Sequence, residues 1–258
     1  MNPSVALPAK HAPDPEVRMT FAEHLEELRL RLFRSTVAFA AALAGSMCFY
    51  RDLVDLVTIP HFRAMAMLSN PPSHLEFIAG GYGAPVMAMM KLAMIAGLFL
   101  ASPVIGGQLW AFVRAGLTGR ERRAAAAFAP SSFLLFVLGC AFGYFVLIPY
   151  ALYGMAGMLP ADRVRPVFLF AEYLDLVTTM TLVLGAMFQL PLVMVLLARL
   201  GVVRPSSFGR WRRNAFVGNL VLAGILSPPD LLSMAAFAVP LFLLYEAGAL
   251  AARFAVPD

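Results

Sequence analysis

The hydrophobic positions of this chain come in long unbroken runs, not in strict alternation or a single helical stripe. Residues 35–50 carry no charge between Arg34 and Arg51, and residues 92–113 carry none after Lys91. Residues 124–161 are also charge-free but too long for one crossing, so a span of about twenty residues is placed in their first part. Residues 176–198 make a fourth run, and residues 214–229 and 231–245 make two shorter ones around Pro228-Pro229-Asp230. A segment apolar on every side has to be surrounded by lipid or other protein. The pattern predicts an all-α integral membrane protein with six transmembrane helices. The last two are short for a hydrocarbon core of about 30 Å.

Ahead of the first run the pattern changes. Phe21, Leu25, Leu28 and Leu32 share one helical stripe, with Glu23, Glu26, Glu27, Arg29 and Arg31 around the rest. This predicts an amphipathic lead-in at the membrane interface that then turns into the first span. Thr20 and Glu23 have the spacing of a capping box that opens it. Residues 1–18, rich in Pro, Ala and charge, are expected to be a mobile tail, and residues 19–258 a single membrane domain.

Charge sets the orientation. Of twenty lysines and arginines, fifteen fall on one side when alternate inter-span segments are grouped, and four on the other, with Lys91 near the latter. Positive residues collect in the cytoplasm, so both termini are expected there if the last two runs form a hairpin. Composition agrees, with 60% hydrophobic and 14% charged residues, where ordinary soluble proteins carry roughly 25% charge. Pro103, Pro130, Pro191 and Pro240 lie at membrane depth and predict bent helices around a concavity. Gly139 and Gly143 form a small-xxx-small pair that permits close helix approach. Cys48 and Cys140 both lie in apolar runs and are expected to be buried hydrophobes.

Enzyme chemistry finds little support. All four histidines lie outside the expected spans, which disfavours an intramembrane Ser–His protease. The sequence has no H-E-x-x-H and no G-x-x-x-x-G-K-[ST], and its only lysines are Lys10 and Lys91. Asp230 and Glu246 fall at opposite ends of the last span, unsuited to an aspartyl dyad. No catalytic residue, metal, cofactor or nucleic-acid partner is expected. Asp230 suits a helix N-cap and Glu246 an interfacial position. Gln189, inside the fourth run, suits a helix–helix hydrogen bond. Glu27 and Arg31 are four apart and suit a solvated intrahelical pair. Glu121 among Arg120, Arg122 and Arg123 reads as part of a topology signal.

Several ordered segments resemble the TatC family, the multispanning receptor component of the twin-arginine protein translocase. They are His24-Leu25-Glu26-Glu27-Leu28-Arg29-Leu30-Arg31-Leu32, Gln108-Leu109-Trp110-Ala111-Phe112, Glu121-Arg122-Arg123, Tyr144-Phe145 with Pro149, Phe188-Gln189-Leu190-Pro191 and Ser227-Pro228-Pro229-Asp230. The resemblance spans about Met19 to Phe254. It implies a bacterial-type inner-membrane protein that binds twin-arginine signal peptides of folded cargo and nucleates a translocase. It also implies single-span TatA and TatB partners, self-association and contact with membrane lipid. Glu27 and Glu121 match the acidic positions of the arginine site, and Phe112, Arg29 and Arg31 match positions tied to signal recognition. Gln189 matches an intramembrane polar position that suggests contact with TatA and TatB. Two positions depart from the family pattern: a proline is missing near Ala115 and an acid near Gly81.

A guanidinium presents a planar fork that a carboxylate accepts in bidentate fashion and that a lysine cannot reproduce. Two such contacts at about 1.5–3 kcal/mol each select a ligand without holding it tightly. The apolar segment of a signal peptide has to supply the rest. The competing reading is a secondary transporter or channel for a small solute. It would need a polar path at mid-membrane, where only Gln189 and Lys91 are candidates.

Overall fold

The computed structural model describes residues 21–68, 76–115, 119–158, 167–227 and 231–256. The expected tail, Thr20 of the capping box and the Pro228-Pro229-Asp230 turn lie outside them. Helix α1, Phe21–Cys48, is followed by α2, Tyr50–Ala66, and a two-residue strand β1, Phe77–Ile78. Next come α3, Ala84–Ala115, and α4, Gly119–Phe142, which passes through a π-helical turn, Gly143–Leu147, into α5, Ile148–Gly157. Strand β2, Phe168–Leu169, leads into α6, Phe170–Met187, and α7, Leu190–Arg199. The described chain ends with α8, Pro205–Arg210, α9, Arg212–Leu226, and α10, Leu231–Ala255.

Among the described residues the architecture is all-α apart from the β1–β2 pair. Among the described residues, four helical runs are long and apolar enough to cross a membrane: 84–114, 128–157, 170–199 and 233–255. The α1–α2 pair, bent by 87° at Phe49, passes the same test when taken together. Helix α9 has only 15 residues, about 22 Å at 1.5 Å per residue, and falls short of it. The lead-in and the first span are one continuous helix, contrary to the expected turn between them. Residues 21–44 contain neither Gly nor Pro, so nothing interrupts the hydrogen-bond ladder. Cys140 is buried as expected, but Cys48, at the end of α1, is exposed.

Prolines account for two irregularities. Pro149 cannot donate to the carbonyl four residues earlier, and the helix widens into the π turn just ahead of it. The break between α6 and α7 falls at Phe188-Gln189, immediately before Leu190-Pro191. By contrast α3, α4 and α10 run on through Pro103, Pro130 and Pro240. Helix α7 ends in a left-handed glycine. Gly201 has φ +68°, its N–H bonds Ala198 O at 3.0 Å, and the Val202 N–H bonds Leu197 O at 3.1 Å. That is the Schellman closure, which satisfies the last carbonyls of the helix.

Two glycine seams set helix separations. A Cβ on Gly139 would lie 2.7 Å from Leu184 O, and one on Gly143 would lie 2.8 Å from a Leu184 side-chain carbon. Gly185 answers from α6, where a Cβ would meet Cys140 Sγ at 2.6 Å. The small-xxx-small pair thus lets α4 and α6 pack nearly backbone to backbone. On the other seam, a Cβ on Gly97 of α3 would stand 2.8 Å from Leu43 Cα of α1.

One end of the molecule is closed by α2 and the β1–β2 pair, which is parallel with Phe77 opposite Phe168 and Ile78 opposite Leu169. His61 is buried there among Phe62, Phe77, Phe168 and Tyr173, with ring centroids at 4.6–5.7 Å. Pro60 leaves the Leu56 carbonyl without its helical donor, and the Tyr144 hydroxyl donates to that carbonyl instead. Tyr173 donates to the neighbouring Val57 carbonyl at 2.5 Å. An ion pair between Lys91 and Asp175 joins α3 to α6 near the same end.

Candidate functional site

The opposite end brings α1 and α3 together again. The two helices are antiparallel, and their contacts keep a matched register. Gly97 meets Leu43, Gln108 meets Arg31, and Phe112 meets His24. From Gly97 to Gln108 is eleven residues along α3, about 16 Å. The close approach within the membrane therefore fixes which side chains face each other at the helix ends.

At that end Arg31 donates through Nε to Glu27 Oε1 at 3.0 Å, and through Nη2 to the same oxygen. Its Nη1 reaches across to Gln108 Oε1 at 3.4 Å. Both guanidinium contacts fall on Oε1, so Glu27 Oε2 has no hydrogen-bond donor among the described residues. The side chains are about one-fifth exposed, 21% for Glu27 and 19% for Arg31. One turn earlier, His24 stacks on Phe112 with centroids 4.4 Å apart and rings 22° from parallel. The result is an oriented carboxylate, open on one oxygen, flanked by an aromatic wall.

The structure brings together three of the five residues expected for signal recognition: Glu27, Arg31 and Phe112. Arg29 is exposed. It lies two residues from both Glu27 and Arg31, hence about 200° around α1 from each. Glu121 falls in the first turn of α4, and its side chain is outside the described residues. His24 and Gln108 complete the site but were not singled out from sequence. Their signal was spacing: His24 is three residues before Glu27 and Gln108 four before Phe112, each on its neighbour's helical face. Further along the same end, Trp110 packs on Phe128 at 5.4 Å, and the Arg199 guanidinium caps that ring from the other side of the sequence at 5.4 Å.

Gln189, half-buried, makes the helix–helix bond expected of an amide inside an apolar run. It accepts from Ser132 Oγ at 2.8 Å and returns its Nε2–H to Ser132 O at 3.0 Å. The bond lies about two turns along α4 from the Gly139 seam and joins α4 to the break between α6 and α7. Glu246, read as interfacial, pairs with Arg212. Among the described residues no group of three or more His, Cys, Asp or Glu could hold a metal ion.

The family model described as Sec-independent protein translocase protein (TatC) matches residues 23–240. The Sec-independent protein translocase protein TatC of Azotobacter chroococcum mcd 1 is 36% identical over 236 residues, covering 92% of this chain and 90% of the relative. That of Escherichia coli (strain K12) is 33% identical over 233 residues, covering 90% and 88%. A solved structure described as the twin-arginine translocase receptor TatC superposes with a TM-score of 0.76 at 29% identity, covering 90% of this chain and 99% of that one. The match runs through the α1–α3 site and nearly the whole helical frame, and its members are translocase components of the bacterial inner membrane, not enzymes. This multi-pass membrane protein belongs to the TatC family.

Proposed function

We propose that the chain is the twin-arginine signal-peptide receptor and core assembly subunit of a translocase that exports folded proteins. The observation that carries this reading is the Glu27 carboxylate, held at one oxygen by Arg31 and open at the other beside the His24–Phe112 wall. A visiting guanidinium meets Oε2, and the neighbouring arginine of the pair goes to Glu121 on the first turn of α4. A carboxylate there is also favoured by the positive end of that helix. Arg31 acts by orienting Glu27, Phe112 by walling one side of the peptide, and Arg29 by meeting the peptide or a lipid phosphate from the outer face of α1. The apolar part of the signal lies along the spans.

In this reading both termini are cytoplasmic, and α9 completes a sixth span by lying in locally thinned bilayer. TatA and TatB single-span helices dock where Gln189 exchanges its Ser132 bond for an intermolecular one, and copies of the chain associate with each other. A small-solute path is less well supported, because Gln189 is already satisfied within the chain and the Lys91–Asp175 pair lies near one end.

The test is equilibrium binding of a labelled twin-arginine peptide and its Lys-Lys variant to the purified full chain. The arginine peptide is expected to bind at least tenfold more tightly, and Glu27→Ala with Glu121→Ala to abolish the difference while membrane insertion survives. Equal binding of both peptides, or an unaltered preference in the double variant, overturns the assignment.

A further inference from the structure

A second charged cluster lies where α8 and the start of α9 meet the C-terminal part of α10. Arg204, Arg210, Arg212, Arg213 and Arg253 are all exposed there. Against these five arginines, α8, α9 and α10 contain one carboxylate, Glu246, which takes Arg212. Arg210 spends one N–H on Ser207 Oγ at 3.2 Å. A Cβ on Gly209 would come within 2.7 Å of Arg253 Nη2, so the end of that guanidinium rests against α8. Between Arg210 and Arg212, Trp211 is 52% exposed and sits edge-on to Phe208 at 6.4 Å. Phe208 is itself buried, and its carbonyl accepts the Tyr245 hydroxyl at 2.8 Å. The platform under Trp211 is therefore fixed to α10.

A topology signal requires only a number of positive charges. It does not require arginines from distant parts of the sequence to converge, as Arg253 of α10 does on the helix that carries Arg210. We propose that this cluster binds the phosphate headgroup of an anionic glycerophospholipid, with Arg213 and Arg253 taking the phosphate and Trp211 lying at the headgroup boundary. Guanidinium forks match phosphate oxygens, basic pockets between membrane helices suit anionic headgroups, and tryptophan favours the interfacial level. Beyond the arginines α9 continues with an exposed apolar strip of Phe216, Val217, Leu220 and Val221. Acyl chains have a surface to lie on there, which a free anion would not use. The proposal rests on the orientation given above only for which leaflet supplies the lipid.

The experiment uses the full chain in neutral detergent. Retained lipid is counted by native mass spectrometry after exposure to dioleoyl phosphatidylglycerol or dioleoyl phosphatidylcholine, with inorganic phosphate as competitor. Phosphatidylglycerol is expected to be retained and phosphatidylcholine not. Arg213→Gln with Arg253→Gln is expected to weaken retention about thirtyfold. Arg34→Gln with Arg114→Gln, the same charge change elsewhere, is expected to leave it unaltered. Equal retention of the two lipids, equal loss in both double variants, or displacement of phosphatidylglycerol by millimolar phosphate overturns the proposal, the last pointing to a free-anion site. If a variant fails to fold, the unmodified chain's discrimination between lipids and its resistance to phosphate decide the matter. Twin-arginine peptide binding, measured on the same samples, is expected to persist in Arg213→Gln/Arg253→Gln, so failure of either site leaves the other standing.

Discussion

Replacing Gly97 by alanine puts a methyl group 2.8 Å from Leu43 Cα and 2.9 Å from Leu43 N. Carbon atoms prefer about 3.5–4.0 Å, so α1 has to retreat by roughly 0.7–1.2 Å. Neither obstructing atom belongs to a flexible side chain, and no rotamer change relieves the contact. Overpacking of this kind costs about 1–3 kcal/mol, against which Ala gains about 1 kcal/mol over Gly in a helix interior. Gly106→Ala on the same helix isolates the steric part, because nothing lies within 4 Å of its added Cβ. Relative to Gly106→Ala, Gly97→Ala is expected to be less stable by about 1–3 kcal/mol, read from thermal unfolding in detergent. The consequence extends to the site about 16 Å away. The Arg31–Gln108 bond is already long at 3.4 Å, and a further ångström removes it. Losing a hydrogen bond worth about 0.5–1.5 kcal/mol weakens twin-arginine peptide binding by about 2- to 12-fold. If Gly97→Ala matches Gly106→Ala in both stability and peptide affinity, the backbone approach does not control the site and the reasoning fails.

Arg31→Lys keeps the charge but gives an ammonium that serves either Glu27 or Gln108, not both in fixed geometry. Peptide affinity is expected to fall about three- to tenfold, while the unfolding temperature stays nearly constant, since an i,i+4 pair contributes about 0.3–0.5 kcal/mol. Titration of Arg31→Lys and the unmodified chain with one labelled peptide checks this. Tyr144→Phe strips the exposed Leu56 carbonyl of its donor, at an expected cost of about 0.5–1.5 kcal/mol. Adding Pro60→Ala restores a backbone N–H and should recover part of that loss. A double-mutant cycle by thermal unfolding that returns no coupling would separate Tyr144 from the Pro60 vacancy.

How much of this was legible in the sequence depends on the kind of signal. Charge-free runs located the four helices that are long and apolar enough to cross a membrane, because a lipid-facing segment cannot carry unpaired charge, but the run at 214–229 became the short α9. The Gly139–Gly143 pair showed its seam, since spacing four apart puts both glycines on one face. Gly97 gave no such sign. It lies among Ala93, Ala96 and Ala101, where small residues are plentiful and only the tertiary approach of α1 singles one out. The sharp α1–α2 bend was equally hidden. Phe49 is neither Gly nor Pro, and charged, Pro-containing residues 51–66 look like a loop until Tyr144 and Tyr173 are seen anchoring them as a helix. Cys48 was misplaced because an apolar run fixes depth in the membrane but not which side faces protein.

The Glu27–Arg31 pair shows why the plain and the functional readings of one motif need not compete. An intrahelical ion pair normally neutralises its carboxylate and would blunt any charge-based recognition. Here both contacts converge on Oε1, and Oε2 is left without a donor among the described residues. Arg31 stops the group rotating, while its own positive charge raises the cost of bringing in another cation. That repulsion falls on lysine and arginine alike, but only arginine offsets it with several directed N–H donors. A carboxylate half-satisfied in this way therefore binds weakly and discriminates well. A receptor built on it has to draw its affinity from the apolar stretch that follows the arginines, so trimming that stretch should lower affinity without altering the Arg-over-Lys preference.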